Sequence, residues 1–366
     1  MLGADIISKI LAKEEIEFVA GFPENRVFDS AAALGIRPLI ARSERVATNI
    51  ADGFSRMTNG KRIGVVAVQE GPGAEAAFAA VAQAYGDASP ILMIPGSYDR
   101  PLQGIDPYFD VGRSYRAISK LSLVVNDSDA LVPAFRRAFG ALRRGKGGPV
   151  VVSPTHDLLY EDVPDEEPNY RPPKTLRSAA DRADVVEIAK VLAGAKRPVV
   201  IAGQGILYAE AWDELRELAE FMEIPVMTTL NGKSAFPENH MLALGTGGLS
   251  RPRMVDHFLS KSDFVLGIGT SLTVSDYITP IPPKKTIGQI TNEPADVGKF
   301  YDVEVAAIGD AKLVLRQLID ACISRLGETG RRGELRTGQE IESVKKEYMA
   351  EWLPRLTSDD VPISPY

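Results

Sequence analysis

Cysteine and histidine are scarce in this 366-residue sequence, which contains one cysteine and three histidines. The single cysteine, Cys322, cannot form an intrachain disulfide, and its isolation excludes a cysteine-rich zinc site. His156 and His257 have no partner at metal-ligand spacing and are expected to be structural. We therefore predict no metal ligand in this chain.

Basic residues and long apolar runs are also in short supply. The 42 lysines and arginines are outnumbered by 49 acidic residues, and the net charge of −7 argues against a nucleic-acid-binding protein. No apolar run approaches the roughly 18 residues of a membrane span, and the acidic, amphipathic segment 1–22 is unlike a secretory signal. We expect a cytoplasmic protein that binds neither nucleic acid nor a membrane.

Three catalytic signatures are missing as well. The sequence contains no Gly-x-x-x-x-Gly-Lys-Ser/Thr, no Gly-x-Ser-x-Gly and no His-Glu-x-x-His. Their absence argues against a P-loop NTPase, an α/β-hydrolase and a zincin, respectively.

The sequence does contain a regular alternation of strand-like and helix-like segments. Continuous β-branched or apolar runs, such as residues 63–68, are typical of strands buried on both faces of a parallel sheet. We predict strands at residues 17–20, 38–41, 63–68, 90–95 and 149–153, and again at 198–202, 225–229, 264–268 and 286–290. Helical periodicity between these strands predicts an α/β protein with two doubly wound parallel-sheet domains.

A change in composition separates the two halves. Residues 162–167 are acidic, and prolines crowd the segment 164–173, which is typical of a linker between domains. We predict a first domain at residues 1–165, a linker at 166–184, a second domain at 185–325 and a charged helical tail at 326–366.

Two candidate sites follow predicted strands of the first domain, where open α/β sheets bind ligands. Glu44 begins a predicted helix that Ser43 caps, so its carboxylate either carries chemistry or merely favours the helix dipole. The turn Gly71-Pro72-Gly73 either brings backbone N–H groups close to a ligand or is an ordinary tight turn.

A third candidate lies in the second domain. Gly203-Gln204-Gly205 resembles the first two glycines of a dinucleotide-binding fingerprint, but Tyr208 occupies the place of the third glycine. The match is therefore weak evidence for a dinucleotide.

The order of several motifs resembles that of thiamine-diphosphate enzymes, in the group of acetolactate synthase large subunits and oxo-acid decarboxylases. The motifs of the pyrimidine-binding domain are Gly21-Phe22-Pro23, residues 42–45, residues 51–56 and residues 69–73. Residues 198–205, 224–226, 262–269 and 309–310 resemble the family's Rossmann-like central domain. The resemblance spans about residues 1–325, and it is specific because many modest motifs occur in the right order.

The resemblance assigns roles to individual residues. It implies that Glu44 is the catalytic glutamate, which hydrogen-bonds the aminopyrimidine ring and promotes formation of the reactive ylid. The implied cofactor-binding residues are Gly21, Phe22, Pro23, Gly71, Pro72 and Gly73. The implied substrate-pocket residues are Glu24, Asn25, Gln69, Tyr108 and Phe109. The turns that resemble FAD or nucleotide contacts in some relatives contain Gly203, Gly205, Gly247, Gly248 and Gly269. The implied activity is that of a carbon–carbon lyase or carboligase acting on a small 2-oxo acid or acyl donor.

Some residues depart from the family pattern. Glu24 and Asn25 occupy positions where acetolactate synthases commonly have glycines, and Ser43 and Arg45 flank Glu44 where relatives often have His and Gln. These departures indicate a substrate specificity unlike that of acetolactate synthase.

The family's third domain, which binds diphosphate and Mg²⁺, carries Gly-Asp-Gly followed by Asn-Asn, and neither motif occurs here. The resemblance therefore implies thiamine diphosphate with Mg²⁺ held by a partner chain in a homo- or hetero-oligomer, or else a truncated piece of a longer protein. Two other interpretations stay open: a non-catalytic regulatory or scaffold paralogue, and a nucleotide-binding module that uses the central domain alone.

Overall fold

A computed structural model describes residues 1–23, 25–164 and 167–365. The chain divides into two compact units, Met1–Leu176 (unit 1) and Arg177–Tyr366 (unit 2). Each unit is built on one six-stranded, entirely parallel sheet. The predicted α/β class with two doubly wound sheets is confirmed. Within the described ranges, no helix is long and apolar enough to cross a membrane.

Unit 1 has the strand order β2-β1-β3-β4-β6-β5. Its strands are β1 (Phe18–Gly21), β2 (Arg37–Ile40), β3 (Gly64–Val68), β4 (Ile91–Pro95), β5 (Leu121–Val125) and β6 (Val150–Pro154). Its helices are α1 (Gly3–Lys13), α2 (Val27–Ala33), α3 (Glu44–Met57), α4 (Pro72–Gly86), α5 (Val111–Tyr115), α6 (Ser128–Leu142) and α7 (His156–Leu159).

The sheet of unit 1 is covered on both faces, as its sequence requires. In β3, Val65 and Ala67 pack into an apolar layer formed with α1, α2 and α6. The alternate residues Val66 and Val68 pack into a second layer formed with α3 and α4. Because side chains alternate between the faces of a strand, the uninterrupted apolar run of β3 satisfies both layers at once.

Helix α3 is fixed to the sheet through Ser55. The buried Ser55 hydroxyl accepts a hydrogen bond from Gly64 N (2.8 Å), at the start of β3, and donates one to Pro90 O (2.7 Å), just before β4. The next residue, Arg56, bridges the buried carboxylate of Asp52 and that of Asp87 at the end of α4, both at 2.8 Å. These contacts set the position of α3, and therefore of Glu44 at its N-terminus.

Unit 2 has the strand order β12-β11-β10-β7-β8-β9. Its strands are β7 (Pro198–Ala202), β8 (Val226–Thr228), β9 (Ala243–Thr246), β10 (Phe264–Ile268), β11 (Thr286–Thr291) and β12 (Val305–Ile308). Its helices are α8 (Arg182–Gly194), α9 (Gly205–Ala209), α10 (Trp212–Met222), α11 (Arg253–Lys261), α12 (Ala311–Leu326) and α13 (Thr337–Leu356).

The charged C-terminal segment contains α13, which packs on unit 2. Ile341 and Val344 are buried in the apolar layer that α11 also lines. The carboxylate of Glu223 accepts hydrogen bonds from Leu335 N (2.8 Å) and Thr337 N (2.9 Å), and so satisfies N–H groups at the start of the helix. The carboxylate of Glu340, in the first turn of α13, forms hydrogen bonds with Arg197 (2.8 Å) and His257 (2.7 Å).

The two bonds of Ser55 predict an unequal effect of serine-to-alanine changes. Ser55→Ala removes the partner of two buried backbone groups and should lower the free energy of unfolding of unit 1 by about 1–3 kcal/mol. Ser8→Ala is the matched control, because Ser8 is equally buried and its hydroxyl has no partner among the described residues. It should be neutral or stabilising.

Urea unfolding followed by far-UV circular dichroism measures both changes. The two tryptophans, Trp212 and Trp352, both lie in unit 2, so their fluorescence reports a transition that neither variant should move. An equal loss of stability in the two serine variants would contradict the role given to Ser55.

Candidate active site

The site of unit 1 lies where its strand order reverses. Strand β1 pairs with β2 on one side and with β3 on the other, so the segments that follow β1 and β3 lead away in opposite directions. In open α/β sheets this divergence leaves a crevice at the carboxyl ends of the strands, where ligands bind. The described residues that border it here are 22, 23, 25, 41–44 and 69–73.

Glu44 meets the Gly-Pro-Gly turn in this crevice. It is the first residue of α3, which Ser43 caps by accepting a hydrogen bond from Val46 N (3.3 Å). A Cβ atom placed on Gly73 would lie 3.5 Å from Glu44 Oε1. Within the described part of the chain, the half-buried carboxylate forms no hydrogen bond and no ion pair. The structure therefore leaves this carboxylate available beside Gly73.

The turn itself needs glycine at Gly71. This residue caps α4 with φ of +56° and ψ of −110°, a conformation that side chains rarely adopt. A Cβ atom there would also collide with the hydroxyl of Tyr98. Pro72 follows as the first residue of α4, where its missing N–H costs no helical hydrogen bond. Gln69 reaches the same place, since its Cβ lies 2.9 Å from the position of a Cβ on Gly73.

The segment after β1 supplies the apolar side of the crevice. Gly21 ends β1, and a Cβ atom there would collide with Phe28 and with Ala67 O on the neighbouring strand. Phe22 is 39% exposed, and Pro23 is exposed beside it. Glu24, predicted to line the substrate pocket, lies outside the described residues.

Asn25 anchors the segment that follows β1 through hydrogen bonds of its side chain. Its side chain is buried, and Nδ2 donates to Val68 O (2.9 Å) and Ile94 O (3.2 Å), while Oδ1 accepts from Val27 N (3.1 Å). These bonds tie the loop after β1 across the ends of β3 and β4. They occupy both N–H groups and the oxygen of the amide, so the structure gives Asn25 a positioning role, and its substrate contact stays a prediction.

The side chains of Tyr108 and Phe109 pack against different parts of unit 1. The ring of Tyr108 packs against that of Tyr98, with centroids 5.5 Å apart, and Tyr98 reaches the Gly-Pro-Gly turn. Phe109 instead packs against the apolar layer beneath α3 and α4. Only the first of these two predicted pocket residues is therefore connected to the turn.

One tyrosine next to the site is structural. Tyr115 of α5 is fully buried and donates its hydroxyl to Ala74 O in the first turn of α4. Burial raises its pKa, so the hydroxyl stays protonated and keeps donating. This bond holds the start of α4, and hence Gly73, in place.

Among the described residues, the charges around the site come from two carboxylates, Glu44 and Glu70, and two arginines; Glu70 Oε2 lies 3.0 Å from the position of a Cβ on Gly96. Arg42 and Arg45 flank Glu44 and are exposed, and neither has an ion-pair partner among the described residues. No cluster of three or more His, Cys, Asp or Glu side chains in the described ranges could hold a metal ion.

The glycines of unit 2 pack against neighbouring backbone or side chains. Gly203 and Gly205, which follow β7, approach Gly269, which follows β10 with φ of +63°. Gly205 N donates to Gly269 O (2.9 Å), and a Cβ on Gly205 would lie 2.6 Å from Gly269 Cα. Gly247 is crowded by Met227, and Gly248 exchanges hydrogen bonds with Thr279. Close packing is therefore one reason for glycine at these positions, and a FAD or nucleotide contact stays a prediction.

Tyr98 was missed by reasoning from the sequence. The available signal was its position three residues after the predicted strand 90–95, at the carboxyl end of a strand next to β3. Strand order, which decides that β4 lies beside β3, could not be read from the sequence.

Comparison with known proteins identifies both units. Residues 1–116 match the family model described as the thiamine pyrophosphate enzyme N-terminal TPP binding domain. Residues 185–318 match the model described as the thiamine pyrophosphate enzyme central domain.

Individual relatives agree with the family models. The chain is 30% identical to a probable acetolactate synthase large subunit of Methanocaldococcus jannaschii, over 100% of this chain and 62% of the relative. It is 30% identical to the corresponding protein of Methanococcus aeolicus, over 100% of this chain and 63% of the relative. Against the acetolactate synthase isozyme 3 large subunit of Escherichia coli, the identity is 29%, over 87% of this chain and 57% of the relative. The chain thus spans about three fifths of the length of these relatives.

The contacts of Asn25 predict a local effect on the site. Asn25→Ala removes three hydrogen bonds at a buried position, worth about 1–3 kcal/mol, and should accelerate amide hydrogen exchange in residues 22–28 and 94–98 by about tenfold or more. Mass spectrometry of exchanged peptides measures this. Asn49→Ala, on the exposed side of α3, is the control. Unchanged exchange in both segments of Asn25→Ala would show that the amide does not hold the loop.

Proposed function

The chain belongs to the thiamine pyrophosphate enzyme family through both of its domains, and we propose that unit 1 holds the pyrimidine ring of thiamine diphosphate at the Glu44 site. The whole protein would be a carbon–carbon lyase or carboligase acting on a small 2-oxo acid or similar acyl donor. The observation that carries this proposal is the unpaired carboxylate of Glu44 beside Gly73, in the domain that matches the family's N-terminal TPP binding domain.

The residues present fit the pyrimidine end of this cofactor. The glycines at positions 71 and 73 let Tyr98 and Gln69 pack closely against the turn, so that the turn can form one wall of the site, and exposed Phe22 offers a flat ring an apolar neighbour. Glu44 supplies one hydrogen-bonding carboxylate for a ring nitrogen. Family membership makes thiamine diphosphate the natural ligand for this combination.

The roles of the chain's own groups follow from these positions. When bound, thiamine diphosphate supplies a nucleophilic carbon and an electron sink for decarboxylation and acyl transfer. Glu44 would accept and return a proton at the pyrimidine nitrogen, in the manner of a general acid–base group. Phe22 would limit access of water, and the turn 71–73 would orient the ring against the carboxylate.

We place the diphosphate and Mg²⁺ on a further domain carried by a partner chain. Support comes from the outward side of α3, the helix that begins at Glu44. Val46, Ile50 and Met57 are exposed there by 48%, 37% and 86%, and exposed apolar residues grouped in this way mark interaction surfaces. The names of the relatives, which are large subunits, also point to an assembly.

The substrate is expected to carry a carboxylate. Arg42 and Arg45 place two unpaired positive charges next to Glu44, and a 2-oxo acid carries the complementary carboxylate. The alternative function is a scaffold paralogue without chemistry, for which retention of Glu44 would have no purpose.

Glu44→Gln tests the proposed function in the assembled protein with thiamine diphosphate and Mg²⁺. The amide keeps the shape of the side chain but cannot exchange a proton as a carboxylate does. Exchange of the thiazolium C2 proton with deuterium, followed by NMR, should slow by about 10²–10⁴-fold. Cofactor affinity, measured by calorimetry, should change much less, because most of it comes from the diphosphate and Mg²⁺.

Glu75→Gln is the matched control, since Glu75 is an exposed carboxylate in the first turn of α4. It should leave C2 exchange unchanged. Full exchange in Glu44→Gln would remove the role given to Glu44. A wild-type protein that binds no thiamine diphosphate would favour the scaffold paralogue.

A further inference from the structure

An aromatic residue that reaches the Gly-Pro-Gly turn is Tyr98, which none of the family motifs contains. It follows β4, the neighbour of β3 in the sheet. Its hydroxyl lies where a side chain on Gly71 would be, two residues from the glycine that faces Glu44. Tyr98 therefore borders the same crevice as Glu44, on the other side of the turn.

The backbone around Tyr98 is held on several sides. Gly96 N donates to Val68 O (3.0 Å), and Ser97 N donates to Pro154 O (2.9 Å). The side chain of Gln103 donates to Tyr98 O (3.1 Å). With its backbone fixed between β3 and β6 and its ring packed on Tyr108, Tyr98 presents its hydroxyl in a defined position.

This hydroxyl differs from those of the buried tyrosines in unit 1. The hydroxyl of Tyr115 donates a hydrogen bond to Ala74 O, and the hydroxyl of Tyr170 donates one to the carboxylate of Glu14. The hydroxyl of half-buried Tyr98 forms no hydrogen bond with any residue in the described part of the chain. The amide of Gln69 and the carboxylate of Glu44 are also unpaired there.

The three side chains are half-buried, and none of their polar atoms is fully shielded from solvent. The Tyr98 hydroxyl and the Glu44 carboxylate reach the turn 71–73, and Gln69 lies beside Gly73, so these unpaired groups are accessible to a ligand. A phenol and an amide both offer N–H or O–H donors, so they are suited to an oxygen-rich molecule.

We propose that Tyr98 is a substrate-contacting residue whose hydroxyl donates a hydrogen bond to a carbonyl or carboxylate oxygen of a small 2-oxo acid. This inference rests on the proposed function, because it places the acid at the Glu44 site. It assigns the recognition of the acid to a residue outside the family motifs, on the segment that follows β4.

The test uses oxamate, an unreactive molecule of the same shape as pyruvate. It is titrated by calorimetry into the assembled protein saturated with thiamine diphosphate and Mg²⁺. Tyr98→Phe removes only the hydroxyl and keeps the ring that packs on Tyr108, so the dissociation constant of oxamate should rise about tenfold. Affinity for thiamine diphosphate should stay within about twofold, because the missing contact is with the acid.

Tyr160→Phe is the matched control. Tyr160 lies in the same unit, is 50% exposed and packs its ring on His156. This change should leave oxamate binding unaltered. Circular dichroism confirms that both variants keep the fold.

Several outcomes would overturn the proposal. They are equal oxamate affinity in Tyr98→Phe and wild type, an equal loss in Tyr160→Phe, an equal loss of thiamine diphosphate affinity in Tyr98→Phe, and no oxamate binding by wild type. The proposed function fails separately. If C2 exchange is unaffected in Glu44→Gln while Tyr98→Phe still weakens oxamate, the catalytic assignment is wrong and the contact with the acid stands.

Discussion

The reversal of strand order around β1 is the constraint on which the site of unit 1 depends. Because β2 and β3 lie on opposite sides of β1, the three segments that follow these strands surround one crevice. Hydrogen bonds from Asn25 tie the segment that follows β1 to the ends of β3 and β4. Ser55 fixes the position of α3 relative to β3 and β4 through its two hydrogen bonds. The carboxylate of Glu44 is thus positioned by contacts that lie below it in the sheet.

The glycines of both sites allow close packing, but against different neighbours. In unit 1, an added Cβ on Gly73 would lie 2.9 Å from Gln69 Cβ and 3.5 Å from Glu44 Oε1. In unit 2, the place of a side chain on Gly205 is already filled by the backbone of Gly269. Glycine therefore lets polar side chains approach a turn in one domain and lets two loops cross closely in the other. This difference is visible only from the neighbours of each glycine.

The sequence was informative about central strands and less so about edge strands. Strands β3, β4 and β10 are buried on both faces and were predicted to within one residue, since a continuous apolar run leaves few alternatives. The missed strands β5, β9 and β12 all lie at an edge of their sheet. They are only partly buried, so their residues do not form an uninterrupted apolar run. The motifs placed Glu44 and the turn 71–73 correctly relative to the strands. The reach of Tyr98 and the hydrogen bonds of Asn25 depend on strand order, which no local pattern encodes.

We propose that the crevice between β1 and β3 receives the pyrimidine ring of thiamine diphosphate. A crystal structure of the assembled protein with thiamine diphosphate and Mg²⁺ tests this placement most directly. We expect the ring between Phe22 and the turn 71–73, with a ring nitrogen about 3 Å from the carboxylate of Glu44. A ring bound elsewhere, with the carboxylate of Glu44 facing solvent, would contradict it.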